Sequence, residues 1–350
     1  MTTPTSFNKS GLQNFAVAGN WTPNGIPGST DDAEINSAVI VESTANEGVN
    51  SIGTGTNGTN ILEISNNSTF DVADGTGSNN NSGVITVFQA TLELNGGTFD
   101  NPGTLWLMGD DATDLATLWI SQGSAILDGG GTLKMTIGGG PTANAIVGKD
   151  LNGDVDFTNV NNTISGDGTI GGGLFFTNDG MIETNNSTST SGGTLVIQGS
   201  AGNFDGNIGV FVNSGTVQAD SGGTLIFGID NIGSNIYNDG TINLISNGGA
   251  STELEIASGG VTIQGDSHTG VINLEGSSAQ DDAIISDGKP ATLTLVNQTI
   301  TGAGFIGDFD LTLDNQSGTI DPTGTIFPLF SRARSDDHQR WHARGDQLRE

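Results

Sequence analysis

Asp150, Asn152, Asp154 and Asp156 are the residues of this sequence best arranged for metal chemistry. Oxygen-bearing side chains at every second position follow the start of a D-x-N-x-D calcium loop, which surrounds a hard cation with oxygens. The pattern then departs. Val155 takes the sixth place, where the turn calls for Gly, and Asn161 takes the twelfth, where a bidentate Glu closes the shell. The competing reading is a solvated acidic loop between strands. Calcium is the only cofactor the sequence suggests, and Ser286–Pro290, the counterpart of this loop further along, lacks the pattern. Trp106 and Trp119 alternate with Leu in short apolar runs, so they either pack or present flat faces on which a sugar could stack. Acidic groups such as Asp31/Asp32, Asp110/Asp111/Asp114, Asp281/Asp282 and Asp308/Asp310/Asp314 could do glycosidase work if two carboxyls were held about 5–10 Å apart. His268 has no nucleophile or orienting acid beside it and reads as a turn residue. The triple glycines at 129–131, 138–140 and 171–173 lack the Lys-Ser/Thr of a phosphate loop and read as turns.

Composition limits the partners. The 350 residues include 39 acidic and 9 basic ones, for a net charge of −30, which excludes a nucleic-acid or anionic-membrane binder. No Arg precedes Ser331, and the Lys residues are Lys9, Lys134, Lys149 and Lys289. Enzymes acting on acidic sugars need cations to hold the substrate carboxylate, so this body is expected not to be an enzyme. With no Cys there are no disulfides and no thiolate metal sites. No apolar run is long enough to span a membrane as a helix, and the opening MTTPTSFNKSG is not a conventional signal peptide. If the protein is exported, the signal is therefore expected to be uncleaved, C-terminal and outside this sequence, or upstream of it.

These residues must be positioned by strands. Runs such as Thr91-Leu-Glu-Leu94, Thr104-Leu-Trp-Leu107, Thr117-Leu-Trp-Ile120, Thr132-Leu-Lys-Met135, Thr224-Leu-Ile-Phe227 and Thr241-Ile-Asn-Leu244 alternate apolar and polar residues and are bounded by Gly, Asn, Asp or Ser. A shared phrase, roughly N-x-G-T-I/V/L, recurs at Asn213 and Asn238, with Met for Thr at Asn178, and with one extra residue at Asn315. Its Gly and Asn suggest corners that need positive φ. Short strands after repeated corners predict an all-β parallel β-solenoid with 20–25 residues per rung, apolar ladders inside and Thr, Asn and Asp outside.

A longer period overlies the short one. Gly103 is echoed by Gly240, Leu118 by Leu254, Asn144 by Asp282, and Thr163 by Thr299, at offsets of 136–138 residues. This predicts an N-terminal capping segment over 1–50 with Trp21 pinning the start. A solenoid follows over 51–326, with one repeat unit at about 103–239 and an incomplete second at 240–326. Residues 327–350 hold all five Arg and form an irregular basic tail of different composition. Read one nucleotide later, the codons possible for His338–Arg349 admit TNAGTLEATSSG, close to the phrase at Asn213–Gly222. The tail is therefore expected to be a frameshifted or disordered end, and the rung it leaves open is expected to self-associate end to end.

GNWTPNGIPGSTDDAEI (19–35), NVNNTISGDGTIGGG (159–173) and LVNQTITGAGFIG (295–307) resemble phrases of large repetitive bacterial secreted and surface proteins of autotransporter-adhesin-like type. The resemblance implies a right-handed parallel β-helix outside the cell, associated with the outer membrane in the parent protein. It would serve as an adhesin or rigid stalk whose faces meet glycans or host-surface proteins. It supplies no catalytic residues. The alternative is a glycoside hydrolase on the same scaffold, using paired Asp.

Overall fold

The computed structural model describes residues 3–37, 39–56, 59–73, 79–136, 140–149, 155–184, 193–199, 210–220, 222–229, 231–246, 251–265, 268–276, 281–322 and 327–328. The chain forms two compact units, residues 1–182 and 183–350. Among the described residues both are built almost wholly of short strands, with one 3-10 turn, at Ala18–Asn20 in the first unit. Among the described residues no helix is long and apolar enough to cross a membrane.

Within each unit, each strand other than Trp21–Thr22 pairs in parallel with the third strand after it, which builds three sheets. We call three consecutive strands, one per sheet, a rung. In the first unit, Ile61–Ile64, Val84–Phe88, Thr104–Met108, Thr132–Met135 and Thr163–Ser165 are successive members of one sheet. Thr69–Val72, Thr91–Leu94, Ala116–Ile120, Asn144–Gly148 and Gly168–Gly171 belong to another. The second unit repeats the scheme, for example through Thr216–Asp220, Thr241–Ile245, Val271–Glu275 and Thr299–Ala303. Stacked parallel sheets are thus the architecture of both units.

Register explains the core. Period-2 alternation gives every strand an inner and an outer row, and in-register pairing stacks like on like. Leu62, Ile85, Leu105, Leu133 and Ile164 form one fully buried column. Phe70, Leu92, Leu118, Ile146 and Ile170 form a second. In the second unit the same role falls to Val217, Ile242, Ile272 and Ile300. Each such side chain contributes about 1.5–3 kcal/mol by leaving water. The four echoed pairs lie fifteen strands apart, which is five rungs. Spread over five rungs, 137 residues give about 27 per rung, somewhat above the 20–25 expected, because turn lengths vary.

The corner phrase works differently from the sequence expectation. Asn178, Asn213 and Asn238 are fully buried, and their φ angles are ordinary. They form amide ladders: Asn159 Nδ2 donates to Asn178 Oδ1 at 2.9 Å, and in the second unit Asn213 Nδ2 donates to Asn238 Oδ1 at 2.8 Å. Asn238 Nδ2 continues to Gln298 Oε1 at 2.8 Å. Thr54, Asn81, Asn101 and Asn162 make a similar chain in the first unit, with links of 2.7–3.0 Å. A buried amide needs both donor and acceptor satisfied, and stacking rungs supply both. The Gly of the phrase is also not a positive-φ residue at 180, 240 or 318. A Cβ on Gly240 would meet the Gly215 carbonyl oxygen at 2.2 Å, and one on Gly103 would meet that of Gly83 at 2.2 Å. Backbone-to-backbone crowding at the corner, not handedness of φ, excludes a side chain there.

Parallel pairing operates within the first fifty residues, where Thr3–Phe7 pairs with Asp31–Ile35 and Gly11–Asn14 with Val39–Ser43. An antiparallel strand pair, Thr3–Phe7 with Trp21–Thr22, sits here as well. Trp21 is buried against Phe7 and Phe15, with ring centroids 4.9 Å apart in both cases. Its Nε1 donates to the Phe15 carbonyl at 2.8 Å, which satisfies the one polar atom of the ring.

Candidate functional site

Outer columns carry whatever meets a ligand, and two of them contain a tryptophan. On the strand Ala116–Ile120, Trp119 lies in register between Glu93 and Val147, and Asp71 precedes Glu93. Glu93 is almost wholly buried although it points away from the core. Lys149 makes this tolerable: its Nζ donates to both carboxylate oxygens, at 2.6 and 2.7 Å. The same ammonium lies 5.3 Å from the Trp119 ring centroid, within cation–π range. Asp71, next in the column, is pushed above the usual carboxylate range. Burial is the main cause and the Glu93 charge adds to it, while Asn95 and Lys149 partly offset both. Asn95 Nδ2 donates to Asp71 Oδ1, and Ser121 Oγ donates to Asn95 Oδ1, so the surround is hydrogen-bonded.

Trp106 is on a different sheet, in register between Thr86 and Lys134, with Glu63 and Glu42 further along its column. Its ring is part-exposed, yet its indole N–H is buried without a hydrogen-bond partner. Glu63 is pushed up by burial first and by Glu42 second. The two tryptophans therefore belong to separate columns, each with carboxylates on one side. A flat ring beside a neutralised Lys–Glu pair offers an apolar face for a sugar ring and polar atoms at its edge for hydroxyls.

Of the calcium-loop residues, Asp150, Asn152 and Asp154 lie outside the described residues. Asp156 is exposed on the strand Val155–Asn159, and its Oδ2 accepts from Ser124 Oγ at 3.0 Å. Among the described residues no three His, Asp or Glu side chains converge closely enough to hold a metal ion. Several acidic groups shape turns instead. Asp111 Oδ1 accepts from Thr113 N and Oγ1 and from Asp114 N, and Asp308 Oδ1 accepts from Asp310 N and Leu311 N. His268 is in a turn, with Nδ1 4.0 Å from Asp239 Oδ2.

Sequence reading passed over the Glu93–Lys149 pair. Part of the signal was present, since Thr91-Leu-Glu-Leu94 and Thr117-Leu-Trp-Ile120 place Glu93 and Trp119 at the same outer position. The reach of Lys149 back across two rungs depends on a turn conformation that no pattern encodes. It also missed Glu183 and Glu255, whose carboxyls are pushed to about 7, mainly by burial and then by Asp220 and Glu253 respectively. Compared with protein families, curated proteins and solved structures, the chain has no match.

Proposed function

We propose that this chain is a non-catalytic module of an extracellular or cell-surface protein, coiled as a closed right-handed parallel β-solenoid, that presents its outer columns to glycans or to proteins on a cell surface. The observation that carries this reading is the register of polar residues on the outer rows. Thr69 and Thr91 are consecutive in one column, Thr104, Thr132 and Thr163 in another, and Asn243 and Asn273 are joined at 2.9 Å in a third. Such columns repeat a hydroxyl or amide at the rung spacing of about 4.8 Å, which suits multivalent hydrogen bonding to an extended chain. Trp119 is the anchor we assign within this surface. The right-handed hand follows the strong chiral preference of parallel strand connections. The absence of Cys and the net charge of −30 suit an oxidising, crowded exterior.

A glycan-array screen of the full chain tests the assignment, with Trp119→Ala as control. Selective binding that falls at least tenfold in the variant supports it; binding untouched by the change removes Trp119 from the site. The second reading, a hydrolase for neutral glycans, is favoured by one observation. Glu183 and Asp220 are neighbouring carboxyls that are both raised, as a general acid requires. Release of reducing sugar that disappears in Glu183→Gln would establish it over the adhesive reading.

A further inference from the structure

Asp282 opens the strand Asp282–Ser286 and is fully buried, yet neither carboxylate oxygen has a hydrogen-bond partner. The hydroxyl of Ser246, buried nearby, is likewise unpartnered. A Cβ placed on Gly276 would lie 3.1 Å from Asp282 Oδ2 and 3.1 Å from Ser246 Oγ, so the two oxygens share a nook that the missing side chain leaves open. Ser246 and the Gly276 N–H are close enough to favour the charged carboxylate slightly, but neither completes a hydrogen bond of ordinary geometry. Burial dominates and pushes the group up to about 6. Above that pH a charge would be buried without compensation, which is among the costliest arrangements in a protein.

The first unit shows what this place is built for. Asn144 opens the corresponding strand five rungs earlier and is equally buried. Its Nδ2 donates to the carbonyls of Thr136 and Asp167 at 3.1 and 2.9 Å, and its Oδ1 accepts from Gly109 N at 2.9 Å. Strand for strand, Thr136 corresponds to Glu275, Asp167 to Ala303 and Gly109 to Ser246. The neighbouring corners match closely: Gly166 has φ +114° and Gly302 has φ +107°, and a Cβ on either would meet the carbonyl of Met135 or of Leu274 at 2.0 Å. A carboxylate cannot donate the two hydrogen bonds that the amide gives. A positive ion in the same place could accept lone pairs from the carboxylate, the hydroxyl and the carbonyls together. A cavity lined by Asn273, Glu275, Gly276, Thr301 and Ala303 gives access, because Gly276 borders both it and the nook. Among the described residues no side-chain cation is at hand to fill the role. Among the described residues of this unit the basic groups are His268, in an exposed turn, and Lys289, whose Nζ is 3.8 Å from Asp287. The other charges facing Asp282 are the carboxylates of Asp281 and Glu275, which deepen the negative potential.

We propose that Asp282, Ser246 and the adjoining backbone oxygens bind one hard, oxygen-preferring cation of the size of Na⁺ or Ca²⁺. Such ions accept irregular oxygen shells and retained waters, whereas Mg²⁺ demands octahedral geometry. The site is distinct from the acidic loop at 150–156, and it needs only one buried carboxylate because the remaining ligands are neutral.

The test uses the full chain at pH 8. Thermal midpoints are compared in NaCl, CaCl2 and choline chloride at equal ionic strength, and binding is followed by Ca²⁺ calorimetry and ²³Na relaxation. The wild type should gain stability from Na⁺ or Ca²⁺ over choline and bind one ion more than Asp282→Asn. That variant restores the Asn144 arrangement, so it should fold, match or exceed the wild type in choline and lose the cation increment. Gly276→Ala keeps the carboxylate but fills the nook, and should weaken the ion at least tenfold. If Asp282→Asn and wild type respond equally to both cations, the proposal is overturned. It is equally overturned if the Asp282 carboxyl titrates identically in choline and in the metal salts, since the place then holds a proton.

Discussion

Replacing Gly240 with Ala separates the two explanations of the corner glycines. If Gly is needed for positive φ, the cost should be about 1–2 kcal/mol, the usual penalty of an L-residue in that region. If it is needed for space, the cost is larger. The new Cβ would stand 2.2 Å from the Gly215 oxygen and 2.8 Å from the Ser214 carbonyl carbon, both backbone atoms that cannot rotate away. Relief requires the rungs to part at that corner, which weakens Gly240 N to Asn213 O and Thr241 N to Gly215 O, at 2.9 and 3.0 Å. At about 1 kcal/mol per lost hydrogen bond, plus about 1–3 kcal/mol for groups left buried and unmade, the change should cost about 3–5 kcal/mol. Gly288 is the control, because its φ is +83° and nothing lies within 4 Å of its Cβ position, so Ala there should cost about 1 kcal/mol. Hydrogen exchange read by mass spectrometry on peptides covering 234–245 reports the local opening energy, which matters in a long array where unfolding need not be two-state. Equal costs at 240 and 288 would refute the steric account.

Lys149→Met should destabilise the first unit by about 2–3 kcal/mol by stranding the buried Glu93 carboxylate, and adding Glu93→Gln should recover most of that; urea unfolding followed by Trp fluorescence reads both. Asn238→Ala should cost about 2–4 kcal/mol, because Gln298 Oε1 and Asn213 Nδ2 both lose a buried partner, and exchange protection should fall on both neighbouring rungs. Glu255 is raised to about 7, by burial first and then by Glu253, Asp287 and Asp308. A folded-state value above the unfolded one means that the native chain holds its proton longer. Stability should therefore fall as pH rises from about 4.5 to 7 and stay lower above. After allowance for solvent screening of this half-exposed group, the loss is about 1 kcal/mol, and a urea series from pH 4.5 to 8 should show the slope flattened in Glu255→Gln.

The strands were legible because alternation of apolar and polar residues reports directly on an inner and an outer row, as Thr91-Leu-Glu-Leu94 and Thr132-Leu-Lys-Met135 show. The long repeat of 136–138 residues was legible through the echoes at 103/240 and 163/299, but that it spans five rungs was not, because turn lengths vary. The corner chemistry was visible as a phrase but not as a cause. Asn and Gly are compatible with positive φ, and sequence alone cannot distinguish that from a buried amide ladder beside a crowded backbone. The ladder needs neighbours one rung away, which only register supplies. The site was less legible still. Trp119 was a candidate by residue type, but Lys149 reaches Glu93 across 56 positions. The orphaned state of Asp282 appears only when its surroundings are compared with those of Asn144.

Scarcity of cations ties these features together. A chain with four Lys and no Arg before Ser331 cannot neutralise many buried carboxylates with its own side chains. Where it can, it does: Lys149 holds Glu93 with two short hydrogen bonds. In the second unit, Glu183, Glu255 and Asp282 are all raised to about 6 or 7, chiefly by burial, with further carboxylates beside each. A buried acid without a basic partner is left with a proton or an ion from solution. Glu255, surrounded by Glu253, Asp287 and Asp308 and part-exposed, can take a proton and lose it to water. Asp282, enclosed beside an unpartnered hydroxyl and in the place of an amide that bridges carbonyls, is arranged for an ion. The same shortage of cations thus yields a proton-linked group at one position and a cation site at the other, and the difference lies in what oxygens surround each.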